Sequence, residues 1–228
     1  MPNAGNAKNH ECNVAIVRQS PYLETFSKHN PNMVQNDFDI FTPRIKHDLC
    51  KGCLLIAEPF LNEPYFTRSI ILLTEYDSEG SMGFVLNKPS KLYPDEILEQ
   101  LNSFHDPLFL GGPVSTDCLY FVHTLGDTIR DSNYVGSGLW WGGNHEDLWE
   151  VLNNGTADNS QVRFFSGYAG WTGGQLESEI ERHSWVVAPL DTKIVFASPQ
   201  TETWGRSMRN LGDVYSIWAN FPQHPQFN

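Results

Sequence analysis

Residues Arg163–Glu181, which read RFFSGYAGWTGGQLESEIE, constrain the fold more than any other stretch of the chain. Val162, Phe164 and Phe165 are β-forming and apolar; Gly167, Gly170, Gly173 and Gly174 free the backbone for positive φ; Leu176 and Ile180 then recur at helical spacing. The order predicts a strand, a glycine-rich turn and the start of a helix. Thr172 followed by Gln175 fits a capping box, in which the threonine hydroxyl accepts from the backbone N–H near Gln175 while the glutamine side chain reaches back. A glycine turn opening into a capped helix can cradle an anion. Here Glu177, Glu179 and Glu181 follow at once, so acids already answer the helix dipole and would repel a phosphate. The stretch therefore reads as a structural joint. It is not a nucleophile elbow either, because Gly167 and Gly170 frame Tyr168 and Ala169, and Ser166 precedes the turn.

Around this joint lie many short apolar runs. Leu54–Ala57 and Ile70–Leu73 read as buried strands, with Pro59 and Pro64 in the loop between them; Ser81–Asn87 follows a turn at Asp77–Gly80. Pro94–Leu101 opens with proline and acids and sets Ile97, Leu98 and Leu101 on one face, which predicts a short amphipathic helix. Pro107–Val114, Cys118–His123 and Ser137–Gly143 read as strands, and Asn144 caps a helix running to Leu152 with Leu148, Val151 and Leu152 inward. Ser184–Pro189 and Lys193–Ala197 read as strands, and Thr203–Tyr215 as a helix interrupted near Gly205 and Gly212. Strands interleaved irregularly with a few helices predict an α+β fold. No repetitive linker divides Lys51–Phe221, so residues 33–228 are expected to form a single domain. Residues 1–32 are polar and rich in Asn, and are expected to be disordered or loosely docked, with Met33 a candidate true start.

Charge limits the partners. Fifteen Lys and Arg against 27 Asp and Glu give a net charge of −12, which repels nucleic acid and anionic lipid at long range. Arg206 and Arg209 are the clustered basic residues, and neither a helix-turn-helix pattern nor a basic recognition helix appears. The first 30 residues hold no apolar signal-peptide core, and no apolar run approaches the roughly 20 residues of a membrane span. A cytoplasmic protein with reduced thiols at Cys12, Cys50, Cys53 and Cys118 is expected.

Taken in order, KGCLLIAEPFLNEPYFTRSIILLTEY, GSMGFVLNKP, FLGGPV, FVHTL, GLWWGG and GYAGWTGGQLESEI resemble the YqgE/AlgH family of bacterial proteins. The likeness spans about Cys50–Phe221. Tyr76 stands where a histidine often follows the glutamate, and Gly173 and Gly174 replace a more varied pair. The resemblance implies one α+β domain with a strongly bent mixed or antiparallel sheet approaching a barrel and a few flanking helices. For function it implies a transcriptional-regulator label, inherited from a genetic effect on alginate synthesis in one branch, with no agreed catalytic residues.

Chemistry-bearing residues are few. Cys50 and Cys53 form a single CxxC, but Cys53 opens an apolar strand and no paired ligands complete a zinc site, so no metal or other cofactor is expected. His145–Glu146 lacks the second histidine of HExxH, and no phosphate-binding glycine motif is present. His123, at a strand end, is either a general base or a hydrogen-bonded structural group. Arg68 and Arg163 are single cations beside apolar strands, for which Glu58, Glu75 or Glu177 are available partners. With Asn87, Tyr168, Trp171, Gln175 and Glu177 they outline a candidate binding surface. Three readings follow: an indirect regulator acting through a protein partner or small ligand, an enzyme of unrecognised type using Arg68, His123, Arg163 and Trp171, and a direct DNA-binding regulator.

Overall fold

The structure, a computed structural model, describes residues 47–102, 104–197 and 202–222. The polar head, Met33, Cys12 and the end of the tail lie outside the described residues. The apolar runs become strands because they are buried on both faces: all four residues of β1 (Leu54–Ala57) and the first five of β2 (Ile70–Tyr76) are buried. β3 (Gly80–Val85), β4 (Phe109–Leu110), β5 (Val114–His123), β6 (Asn133–Gly136), β7 (Leu139–Trp141), β8 (Val162–Thr172) and β9 (Trp185–Ala188) complete one nine-stranded sheet. Its order is β6-β7-β5-β8-β3-β2-β1-β9, with β4 added beside β8. Every pairing is antiparallel except that of β4 with β8.

β8 is the hub, pairing with β3, β4 and β5. The turn expected at Gly167–Gly170 is instead continuous strand. Gly167, at φ 67°, stands opposite a bulge in β5, where the register shifts between Val114 and Leu119 and the extra residues belong to β5. A β-carbon at Gly167 would lie 2.7 Å from the carbonyl oxygens of both Gly112 and Val114, so only glycine fits. The alternation along β8 resets there: Phe165 and Tyr168 both face one layer, while Phe164 and Ala169 face the other. The real turn is confined to Gly173 and Gly174, and α3 (Gln175–Glu181) follows.

Two layers cover the sheet. On one face Leu54, Ile56, Ile70, Leu72, Phe84 and Phe165 pack against Trp204 and Met208 of α5 (Thr203–Leu211) and Tyr215 and Trp218 of α6 (Asp213–Trp218). On the other, Leu55, Ile71 and Val85 pack under Leu176 and Ile180 of α3, and Phe121, Val162 and Phe164 under Leu148 and Val151 of α2 (His145–Asn153). Asn144 caps α2 as expected, accepting from the Asp147 N–H at 3.0 Å. The sheet bends without closing: a β-carbon at Gly52, just before β1, would lie 2.8 Å from the Val135 carbonyl oxygen of β6, yet β6 and β9 remain edges.

Several elements differ from expectation. Lys193–Ala197 is not a strand: Asp191 accepts from the Lys193 N–H at 3.0 Å and starts the helix α4 (Thr192–Val195). The helix α1 spans only Pro94–Ile97, and Ile97 is exposed. α5 runs through Gly205 and ends at Gly212, where the backbone turns to φ 73°. Among the described residues no helix is long and apolar enough to cross a membrane.

Candidate functional site

Seven of the eight candidate residues fall into four groups, and Tyr168 stands apart from them. Arg163 and His123 come from neighbouring strands, because Val122 pairs with Arg163 and His123 with Val162, but they face opposite sides of the sheet. Arg163 is 1% exposed. Its Nε donates to Asp106 Oδ2 at 3.1 Å, Nη1 to the Val195 carbonyl and Nη2 to the Ala197 carbonyl at 3.3 Å, while the guanidinium sits 4.3 Å above the Phe109 ring. The partner is therefore Asp106 and not Glu58, Glu75 or Glu177. Arg163 ties β8 to α4 from inside the core.

His123 is fully buried between Phe121 and the Trp140 ring. Nδ1 accepts from the Leu125 N–H at 3.2 Å, which places the proton on Nε2; that nitrogen lies 3.0 Å from Ser132 Oγ and 3.2 Å from the Gly142 carbonyl oxygen. Burial pushes the imidazole down to about 4. It is neutral at physiological pH.

Trp171, Gln175 and Glu177 gather where α3 docks on β8. The Thr172 N–H donates to Gln175 Oε1 at 3.1 Å, which is the back-reaching half of the expected box. The other half is not formed, since the Thr172 hydroxyl donates to the same Oε1 at 3.2 Å and Gly174 occupies the N-cap. Gln175 Nε2 donates in turn to Glu179 Oε1 at 3.0 Å. Trp171 Nε1 and Trp185 Nε1 both donate to Glu179 Oε2, at 2.9 and 2.8 Å. Glu179 is 1% exposed and was not singled out from the sequence. Its spacing from Gln175, four residues, was the available signal. Glu177 Oε1 accepts from the Tyr76 hydroxyl at 2.7 Å, which raises the phenol. Tyr168 stands on the opposite face, edge-on to Tyr120 at 5.7 Å.

Arg68 and Asn87 form the fourth group, where β2 begins and β3 has ended. Arg68 holds φ 52°, a left-handed conformation that costs a residue other than glycine about 1–3 kcal/mol. Asn87 fixes it, donating from Nδ2 to the Arg68 carbonyl at 2.8 Å and accepting from the Ile70 N–H at 2.9 Å. The guanidinium lies 4.7 Å above the Trp204 ring and donates from Nη2 to the Phe221 carbonyl. Lys88 follows Asn87 and donates from Nζ to the Thr67 carbonyl at 2.6 Å.

Among the described residues no group of three His, Cys, Asp or Glu side chains is arranged to hold a metal. Cys50 and Cys118 are exposed and Cys53 is buried, all as free thiols.

The AlgH-like family model matches residues 54–216. A UPF0301 protein from Chlorobaculum tepidum is 40% identical over 193 residues, covering 85% of this chain and 99% of its own. Another from Cytophaga hutchinsonii is 39% identical over 181 residues, covering 79% and 100%. The solution structure of the AlgH protein from Pseudomonas aeruginosa is similar with a TM-score of 0.60 at 31% identity, over 77% of this chain and 95% of that one. The crystal structure of a protein from Corynebacterium diphtheriae has a TM-score of 0.66 at 24% identity, over 77% and 94%, a likeness of fold.

Proposed function

We propose, from the premise that this chain belongs to the AlgH-like family, that it is a cytoplasmic, non-enzymatic regulatory protein acting indirectly, through a protein partner or a small ligand. The observation that carries this reading is the inward commitment of Arg163, whose three guanidinium nitrogens all donate to internal acceptors. A catalytic cation must reach the reacting charge, and this one is spent on architecture. His123 supports the same reading, because both ring nitrogens are bonded within the core and a general base needs a free one. The enzyme alternative requires Arg68, His123, Arg163 and Trp171 to converge. Arg163 and His123 point to opposite faces, and Trp171 belongs to the α3 joint.

The direct DNA-binding alternative depends on Arg206 and Arg209, which are exposed on α5. They face a net charge of −12. The test is fluorescence anisotropy of labelled duplex DNA titrated with the full chain from low to physiological salt. The proposal expects no saturable binding even at low salt. Saturable binding that weakens steeply with salt would overturn it and restore direct control.

A further inference from the structure

Two cations, Arg68 and Lys88, lie close together in half-buried positions, and among the described residues no carboxylate pairs with either. Among the described residues, Arg163 pairs with Asp106 and Arg130 with Asp147, while neither Arg68 nor Lys88 forms an ion pair with a carboxylate. Each cation instead donates to a backbone carbonyl, Arg68 to Phe221 and Lys88 to Thr67. Burial pulls the Lys88 ammonium down, and the Arg68 charge pulls it down further, so the two groups sense each other.

The placement is built, not incidental. Asn87 spends both ends of its amide holding Arg68 in its left-handed backbone conformation, and so sets the root of the guanidinium and the position of the next residue, Lys88. The face of the Trp204 indole supports the guanidinium plane, and Trp204 is itself fixed by its Nε1 donating to the Ala57 carbonyl at 2.9 Å. Among the described residues, Arg68 Nε is buried without an acceptor, whereas Nη1 is neither bonded nor among the buried unpaired atoms. One edge of a rigid guanidinium thus remains to be satisfied beside a half-buried ammonium.

We infer that Arg68 and Lys88, set by Asn87 and backed by Trp204, form an oxyanion-binding site that takes a carboxylate or phosphate group of a small ligand. An oxyanion bridging Nη1 and Nζ relieves the repulsion between the two cations and gives each a hydrogen bond that is charged on both sides, whereas a backbone carbonyl brings no opposing charge. This deepens the preceding reading by naming the ligand chemistry, and rests on it only in assuming that a ligand is bound.

The test is an NMR titration of the full chain, following arginine side-chain resonances while sodium phosphate, or in a separate series sodium acetate, replaces sodium chloride at constant ionic strength. The Arg68 resonance is assigned by its loss in Arg68→Gln. The expected result is a saturable shift of Arg68 with one of the two anions, which identifies the group preferred, with Arg209 unmoved. Lys88→Gln should weaken that binding about tenfold or more, and Arg209→Gln should leave it unchanged. Should Arg68→Gln fold poorly, Arg68→Lys, which keeps the charge, supplies the same assignment, and the wild-type titrations then decide the matter. Absence of a saturable Arg68 shift with both anions, or equal responses of Arg68 and Arg209, would overturn the site. Either result leaves the DNA titration, and with it the indirect regulatory reading, untouched.

Discussion

Trp171 on β8 and Glu179 on α3 are joined by a 2.9 Å hydrogen bond from the indole N–H to Oε2, inside the core. The same oxygen accepts from Trp185 on β9, so one carboxylate locks a helix to strands on two sides of it. Three neutral donors, and no cation, balance its burial. Glu179→Ala strands two buried indole N–H groups and opens a cavity, and should cost about 3–5 kcal/mol in urea denaturation. Trp171→Phe removes one donor and should cost about 1–3 kcal/mol. Equal, small losses for the two variants would show that the carboxylate is not the shared anchor.

Glu58 is buried at the end of β1 with one donor, the Phe60 N–H at 2.9 Å, and burial pushes its carboxyl from 4.5 up to about 7. The folded chain therefore holds a proton between about pH 4.5 and 7 that the unfolded chain has released, so this group lowers stability as pH rises through that window. His123 works in the opposite sense. The unfolded chain binds its proton below about 6.5 while the folded chain refuses it until about 4, so stability falls as pH falls. Glu58→Gln should be more stable than wild type at pH 8 by up to about 3 kcal/mol. It should also lose stability on acidification from pH 6.5 to 5 more steeply than wild type. Parallel pH curves for the two proteins would contradict the buried acid.

The CKGC pair is chemically unequal. Cys50 is exposed, whereas Cys53 is 2% exposed and burial pushes its thiol up to about 12. Since the thiolate is the nucleophile, Cys53 should resist a maleimide at pH 7 in the native protein, while Cys50 and Cys118 label readily. Peptide mapping by mass spectrometry reads this directly. Native labelling of Cys53 at the rate of Cys50 would show that the β1 entry opens.

The strands of the core were legible where burial on both faces leaves a continuous apolar run, as in Leu54–Ala57, or where a cap announces a helix, as at Asn144. The sequence misled where one residue type serves two ends. Ser184–Pro189 and Lys193–Ala197 read as two strands, but Asp191 between them is an N-cap, and Ile194 and Val195, good strand formers, follow it into a helix. Gly167 reads as part of a turn but lies within a strand, opposite a bulge in β5, where the Gly112 and Val114 carbonyls leave no room for a β-carbon. β6 has two exposed residues, a buried Val135 and a half-buried Gly136, with no apolar run to mark it. Site partners were the least legible. Asp106 lies 57 residues before Arg163, and Trp204 lies 136 residues after Arg68, separations at which local spacing carries no information.

Arg163, His123 and Glu179, polar groups of the core, serve the architecture, and the proposed function is left to the surface. His123 tests it most directly, as the one strand histidine that could serve as a general base. An NMR titration of the histidine ring resonances from pH 8 to pH 4 should find His123 neutral, with the proton on Nε2, down to a midpoint of about 4. A midpoint near the ordinary 6.5, with the ring free to exchange its proton, would contradict the account and return His123 to the list of catalytic candidates.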